Sequence, residues 1–273
     1  KDITRQPVAD GNVKIIPDYF DKTYFHWIDG LRDWCISRQI WYGHRIPVWY
    51  KNAGTANEEI FAGVEAPKGD TYGEGWIQDE DTLDTWFSSA MWTFSTLGWP
   101  NKTQDFDIYH PTDVLETGYE ILFFWVARMI MMTGYALDTI PFHTVYLHGT
   151  VRASDGRKMS KSLGNGIDPL DVARDYGADA GRMALIVGAS PGLDTKISYD
   201  KIKGYKNFAN KLWNISRFVL SSTSIDLLPR PAQLSEKDTA ILAESDAILA
   251  EVTKEIDEYR FHIAAEKLYH YVW

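Results

Sequence analysis

Two lysines three residues apart, Lys158 and Lys161, lie in the run Gly-Arg-Lys-Met-Ser-Lys-Ser-Leu-Gly-Asn that spans residues 156–165. The hydroxyls of Ser160 and Ser162 alternate with them, and Gly156 and Gly164 bracket the run. An ammonium is a compact point charge with three donors. Two of them beside two hydroxyls suit a polyphosphate whose oxygens gain charge in a transition state. Glycines let such a loop close over its ligand, and without the ligand the loop is expected to be poorly ordered. On composition alone a solvated basic turn fits the same residues equally well.

Aromatic and acidic residues form a second group. Ile121 and Trp125 are four apart in a segment, 118–137, whose pattern predicts one apolar helix, so they project from the same face. From periodicity alone they read as ordinary core residues. Glu116, Gly118 and Glu120 lie near the predicted start of that helix, where free N–H groups attract anions. Arg38 and His44 are candidate RNA or phosphate ligands, His44 more readily a structural partner in a crowded aromatic segment. Lys201, Lys203, Lys206 and Lys211 form a local basic run in an acidic chain, which fits a solvated helix face.

These groups need elements to hold them. The run His143–Gly149 reads as a short strand with Val145 and Leu147 on one face, and Asp155-Gly156 marks a tight turn after it. Asp168, Pro169 and Gly177 read as the cap, first position and exit of a helix. Strand–helix–strand alternation from 105 to about 190 implies an α/β fold with a mainly parallel sheet, whose ligands sit at the carboxyl ends of the strands. Residues 51–78 are polar and glycine-rich and read as a loop or hairpin excursion. Beyond about 196 the pattern is helical. Phe208, Leu212, Ile215 and Val219 form one stripe, a Pro-rich break follows at 227–233, and Ser235 with Asp238 opens a long helix. The expected domains are 1–195 and 196–273.

Composition sets the limits. The chain has 273 residues, 45% hydrophobic and 24% charged, and a net charge of −10, which argues against general nucleic-acid binding but leaves room for a local basic face. One cysteine, Cys35, excludes an internal disulfide or a multi-cysteine zinc centre and reads as a buried thiol. The longest apolar run, 121–132, is short for a membrane span and contains Arg128, so a buried helix and no membrane partner are expected. The chain begins with Lys and its last helical pattern runs to Trp273, so an excised piece of a longer polypeptide is expected.

Lys158-Met159-Ser160-Lys161-Ser162, following a strand and a turn, resembles the signature loop of the class I aminoacyl-tRNA synthetases. The stretches 32–50, 81–100, 117–132 and 207–219 resemble the valyl-tRNA synthetases in colinear order, nearly end to end. The isoleucyl relatives differ after Trp-Phe in the second stretch; an isoleucyl-type enzyme and a non-catalytic RNA- or partner-binding module are the alternatives. The resemblance implies the C-terminal half of a Rossmann-like nucleotide-binding domain followed by the start of the α-helical anticodon-binding bundle. It implies a ligase that uses ATP, accompanied by Mg²⁺, to activate valine and pass it to tRNA(Val) in the cytoplasm. Lys158 and Lys161 would be catalytic. Met159, Ser160, Ser162, Gly149, Glu116 and Gly118 would complete the ATP contacts. Trp86, Glu120, Ile121 and Trp125 would hold valine. For Lys201, Lys203, Lys206 and Lys211 the resemblance implies contact with the inner side of the tRNA as the other reading. The family usually carries Asp where this chain has Glu120. A His-Ile-Gly-His-like signature and the editing domain are absent from these residues, so the chain is expected to depend on the remainder of its polypeptide and to be inactive alone.

Overall fold

A computed structural model describes residues 1–67, 75–160, 162–222 and 233–273. Two compact units make up the chain, the first from Lys1–Leu115 with Glu120–Val145, the second from Glu116–Tyr119 with Tyr146–Trp273.

In the first unit, helices Asp2–Ala9 and Phe20–Asp29 pack against each other and against the helical run that ends at Leu137. Tyr24, Ile28, Val126, Met129 and Ile130 are buried there, and the Tyr24 hydroxyl donates to the carbonyl of Thr4 at 2.6 Å. Burying such side chains contributes about 1.5–3 kcal/mol each. The predicted excursion contains an antiparallel sheet, with Val48–Lys51 between Glu59–Ala62 and Trp76–Gln78. Residues 68–74 of that excursion lie outside the described part.

The segment predicted as one α-helix is three structures in series: a 3₁₀ turn Tyr119–Ile121, a π-helix Leu122–Ala127 and an α-helix Arg128–Leu137. Asp138 ends it in the left-handed conformation, φ 53°. Together Tyr119–Leu137 is 19 residues with a mean hydropathy of 1.4, long and apolar enough to cross a membrane by length and composition. The apolar run 121–132 is the middle of this longer segment. Its Leu122, Val126, Ala127, Met129, Ile130 and Thr133 face the core of the first unit, as in a packed core helix.

Strand Phe142–His148 lies between Lys14–Ile16 and Thr112–Gly118. A helical crossover joins the last strand to the middle one, the connection that a parallel neighbour requires. Val145 and Leu147 are buried on one face, as the alternation predicts. In the second unit Val151–Arg152 pairs in parallel with Thr195–Lys196. Asp168 caps helix Pro169–Tyr176 by accepting from the Leu170 N–H at 2.8 Å, and Gly177 takes φ 92° at its exit. The segment after it is also helical, Ala178–Ile186, so two helices join Val151–Arg152 to its parallel neighbour Thr195–Lys196. Three long helices follow, Tyr199–Ser222, Glu236–Asp257 and Phe261–Val272, the second opened by the Ser235–Asp238 capping box. The predicted Pro-rich break falls almost wholly in the undescribed residues 223–232.

Candidate functional site

The lysine loop is carried on a short hairpin in the second unit. Arg152 and Lys158 face each other across an antiparallel bridge, and the Ala153 N–H donates to the Arg157 carbonyl at 3.0 Å. Gly156 turns the chain with φ 85°, where the sequence predicts the turn, and its N–H donates to the carbonyl of Ala153 at 2.8 Å. Met159 and Ile167 pack on a core of Val172, Ala180, Ala184, Ile197 and Ile202. The loop therefore hangs between two apolar anchors.

Between those anchors the loop is braced from within. The Asn165 side chain accepts from the Ser160 N–H at 2.9 Å and donates to the Lys158 carbonyl at 3.3 Å. Ser160 and Ser162 hydroxyls lie 3.2 Å apart, and Ser160 Oγ accepts from the Leu163 N–H at 3.3 Å. Asn165 thus supplies polar partners to the loop backbone on both sides of Ser160. Lys158 and Ser162 are exposed. Lys161 lies outside the described residues.

Glu116 and Gly118 stand on the last turns of strand Thr112–Gly118, not at a helix start, which corrects the sequence reading. A strand that the sequence pattern does not announce occupies these positions, and the 3₁₀ turn opens only at Tyr119. Glu116 pairs with His148 Nε2 at 3.2 Å, and Gly118 lies beside the same imidazole. Gly149 has a steric reason to be glycine. A Cβ there would stand 2.0 Å from the carbonyl oxygen of Leu193.

The first unit holds the aromatic group. Asp84 caps helix Thr85–Ser89 by accepting from the Trp86 N–H at 2.8 Å. Trp86 lies 5.9 Å from Phe124, centroid to centroid. Trp125 Nε1 donates to the Ser89 carbonyl at 3.0 Å and its ring lies 5.9 Å from Trp92. The two tryptophans thus converge on one short helix. Ile121 is the residue before the π-helix, with φ −108° and ψ 17°, so it does not share a helix with Trp125 as predicted. The wider π-turn holding Trp125 is itself informative, since such segments are rare and frequent at functional sites. Glu120 is exposed in the 3₁₀ turn.

Several polar candidates have structural employment. The Arg38 guanidinium donates to the Asp84 carboxylate and to the carbonyls of Cys35 at 2.8 Å and Ser37 at 2.7 Å. It supports the cap of the Trp86 helix and is not a free phosphate ligand. His44 is exposed, as are Trp41 and Tyr42 beside it, so the predicted crowded aromatic segment stands in solvent. Of the basic run, Lys201 donates to the Val187 carbonyl at 3.0 Å and burial pushes its pKa down. Lys206 donates to the Asp175 carbonyl at 2.9 Å, and the Lys211 ammonium sits 3.8 Å over the Trp273 ring. Cys35 is exposed, against expectation, because residues 31–36 form an irregular surface segment. A hydrogen bond with Ser37 at 3.3 Å lowers its thiol pKa.

Sequence reasoning missed Asp194. It accepts from the Thr150 N–H at 2.8 Å, from the Tyr119 hydroxyl at 3.2 Å and from the Arg152 guanidinium. These bonds, led by the Thr150 amide, hold its carboxyl below the usual range. Its only sequence signal was an Asp after Pro-Gly-Leu, which reads as a turn. Among the described residues no group of three or more His, Cys, Asp or Glu is placed to hold a metal ion.

Residues 2–198 match the model of the family described as tRNA synthetases class I (I, L, M and V). The Clostridium tetani protein named "Valine--tRNA ligase" is 50% identical over 271 residues, 97% of this chain and 30% of the relative. The Bacillus subtilis protein of the same name is 47% identical over 285 residues, 99% of this chain and 32% of that protein. The chain thus spans about a third of the length of these relatives. Among solved structures, Mycobacterium tuberculosis methionyl-tRNA synthetase in complex with methionyl-adenylate superposes with a TM-score of 0.75 at 23% identity, covering 99% of this chain and 48% of that one. The Agrobacterium radiobacter LeuRS, solved with tRNA and LeuAMS, gives 0.72 at 20% identity, covering 91% and 37%. At these identities the structures establish the fold.

Proposed function

The chain belongs to the class I tRNA synthetases (I, L, M and V), and from that premise we propose that it serves a valine–tRNA ligase. In this reading a valine carboxylate oxygen attacks the α-phosphorus of ATP, forming valyl-adenylate and releasing pyrophosphate. The valyl group then passes to a hydroxyl of the terminal adenosine of tRNA(Val), with AMP as leaving group. Mg²⁺ enters with ATP as part of the substrate.

Charge accumulates on the departing pyrophosphate, and the lysine ammoniums of the 156–165 loop answer it. Lys161 holds the pyrophosphate and Lys158 assists. Met159, Ser160, Ser162, Gly149, Glu116 and Gly118 complete the nucleotide contacts. Trp86, Ile121 and Trp125 wall the valine side chain, with Glu120 beside them. Residues 1–195 carry the catalytic part and 196–273 the part that meets the tRNA stem and anticodon domain. The observation that carries the reading is the braced lysine loop on its hairpin, in a chain about half identical to proteins named for valine.

The test exchanges this chain for the matching segment of the Bacillus subtilis relative and measures amino-acid-dependent ATP–pyrophosphate exchange. Exchange with valine is expected, with Lys161→Ala costing about 2–4 kcal/mol of transition-state stabilisation and leaving the valine KM unchanged. Exchange driven by isoleucine in preference to valine would reject valine and favour the isoleucyl reading. No exchange, in a folded hybrid, would reject the catalytic reading.

A further inference from the structure

Asp194 joins three pieces of chain that are far apart in sequence. Its Oδ1 accepts from the Thr150 N–H at 2.8 Å and from the Tyr119 hydroxyl at 3.2 Å, and its Oδ2 accepts from Arg152 Nε. Tyr119 follows Gly118 at the end of its strand. Thr150 follows the crowded Gly149. Arg152 bridges Lys158 across the hairpin. One carboxylate therefore touches the residues next to Gly118 and Gly149 and the residue bridged to Lys158, and both its oxygens accept from protein donors.

The backbone around Asp194 serves the same alignment. The Gly192 N–H donates to the Leu147 carbonyl at 2.8 Å, Thr195 N–H to Thr150 at 3.1 Å and Ile197 N–H to Arg152 at 3.0 Å. Residues 192–197 thus run alongside 147–152 as a parallel splint, and the absent Cβ of Gly149 permits the close approach. A splint made of backbone bonds alone fixes the height of the hairpin but not its tilt. The Asp194–Arg152 pair reaches sideways to the hairpin stem, and Arg152 Nη1 continues to the Gly156 carbonyl at 3.4 Å. Charge-assisted bonds are the stronger kind, and an accepting carboxylate with three donors is preorganised.

We propose that Asp194 is a positioning residue that sets the tilt of the lysine hairpin against the Gly149–Thr150 turn and Tyr119, and so places the loop for phosphate chemistry. The proposal rests on the nucleotide reading of the loop for its catalytic consequence, but not for its structural one. Hydrogen–deuterium exchange on this chain reads the structural part. Asp194→Ala is expected to speed exchange of amides 149–160 about tenfold, the worth of losing a charge-assisted bond, while the distant helix 236–257 is unchanged. Asp194→Asn keeps an acceptor for the Thr150 N–H and is expected to restore most of the protection at 150 but not at 156–158. Exchange accelerated across the whole second unit would mean that Asp194 is merely structural, and unchanged exchange would mean that it positions nothing; either overturns the proposal.

In the hybrid enzyme, Asp194→Ala should lower kcat for ATP–pyrophosphate exchange about a hundredfold, as expected of a small misplacement of reacting groups, with the valine KM unchanged. Asp194→Asn should recover part of that loss. A rise in valine KM with kcat intact would overturn the catalytic consequence. A parent hybrid without exchange would instead count against the nucleotide reading, while the hydrogen exchange still decides whether Asp194 sets the hairpin.

Discussion

Trp125 illustrates how a single residue acquires a role from its partners. Its indole N–H is tied to the Ser89 carbonyl, which fixes the ring plane, and the Trp86 helix that supplies Ser89 is capped by Asp84 and backed by Arg38. A rigid aromatic wall is what a pocket needs to refuse one extra methylene. In the hybrid enzyme, Trp125→Ala is expected to weaken the preference for valine over isoleucine by about 1–3 kcal/mol, the range already known for a methylene in an apolar synthetase pocket. Competition between the two amino acids in adenylate formation measures it, and unaltered preference would return Trp125 to the core. The residue types here were legible in the sequence, and so was the doubt between slot and core. The supporting shell was not. Arg38 looked like a phosphate ligand because its partner Asp84 lies 46 residues away, and Asp194 was silent because all three of its donors come from other segments.

Elements with strong local signals were read directly. Asp168-Pro169 and Gly177 bound their helix, Ser235 with Asp238 forms its capping box, and Gly156 turns its hairpin. Each is decided by neighbours within a few residues. The π-turn at 122–127 was invisible, since an apolar run has the same composition whether its bonds close over four residues or five. The pair of terminal helices adds a feature of the same non-local kind. Glu255 accepts from Arg260 at the corner and from Lys267 Nζ at 3.2 Å on the next helix. These donors, the Arg260 bond first, pull its carboxyl pKa below the ordinary 4.5. A depressed carboxylate stabilises the fold fully above its unfolded pKa and loses that contribution as pH falls through the folded value. The corner should therefore weaken only below pH 4.5. Thermal melts of the chain and of Glu255→Gln are expected to differ at neutral pH and to converge as acid protonates Glu255. A constant gap down to about pH 3 would show that the pair carries no such linkage.

For the molecule as a whole, the sequence pattern promised more burial than the structure delivers. Phe208 of the predicted stripe is buried and rests on Tyr269, but Leu212, Ile215 and Val219 are 41%, 44% and 51% exposed. Trp213, Phe218 and Leu220 on the same helix are more exposed still. Periodicity identifies an apolar face without saying what covers it, and contiguous faces of this kind drive association when left in water. Opposing that is a net charge of −10, whose repulsion between copies is long-ranged at low salt and short-ranged at high salt. The chain should then self-associate in a way that strengthens with ionic strength, the reverse of an ion-paired interface. Sedimentation velocity across concentration and salt measures this directly. Phe218→Glu is expected to return the chain to a monomer, since it places a charge on the exposed apolar surface of this helix, one turn from Ile215. Ile60→Glu, an equally exposed site on the antiparallel sheet, should leave association unchanged. Association that weakens with added salt, or that survives Phe218→Glu, would assign the contact to another surface.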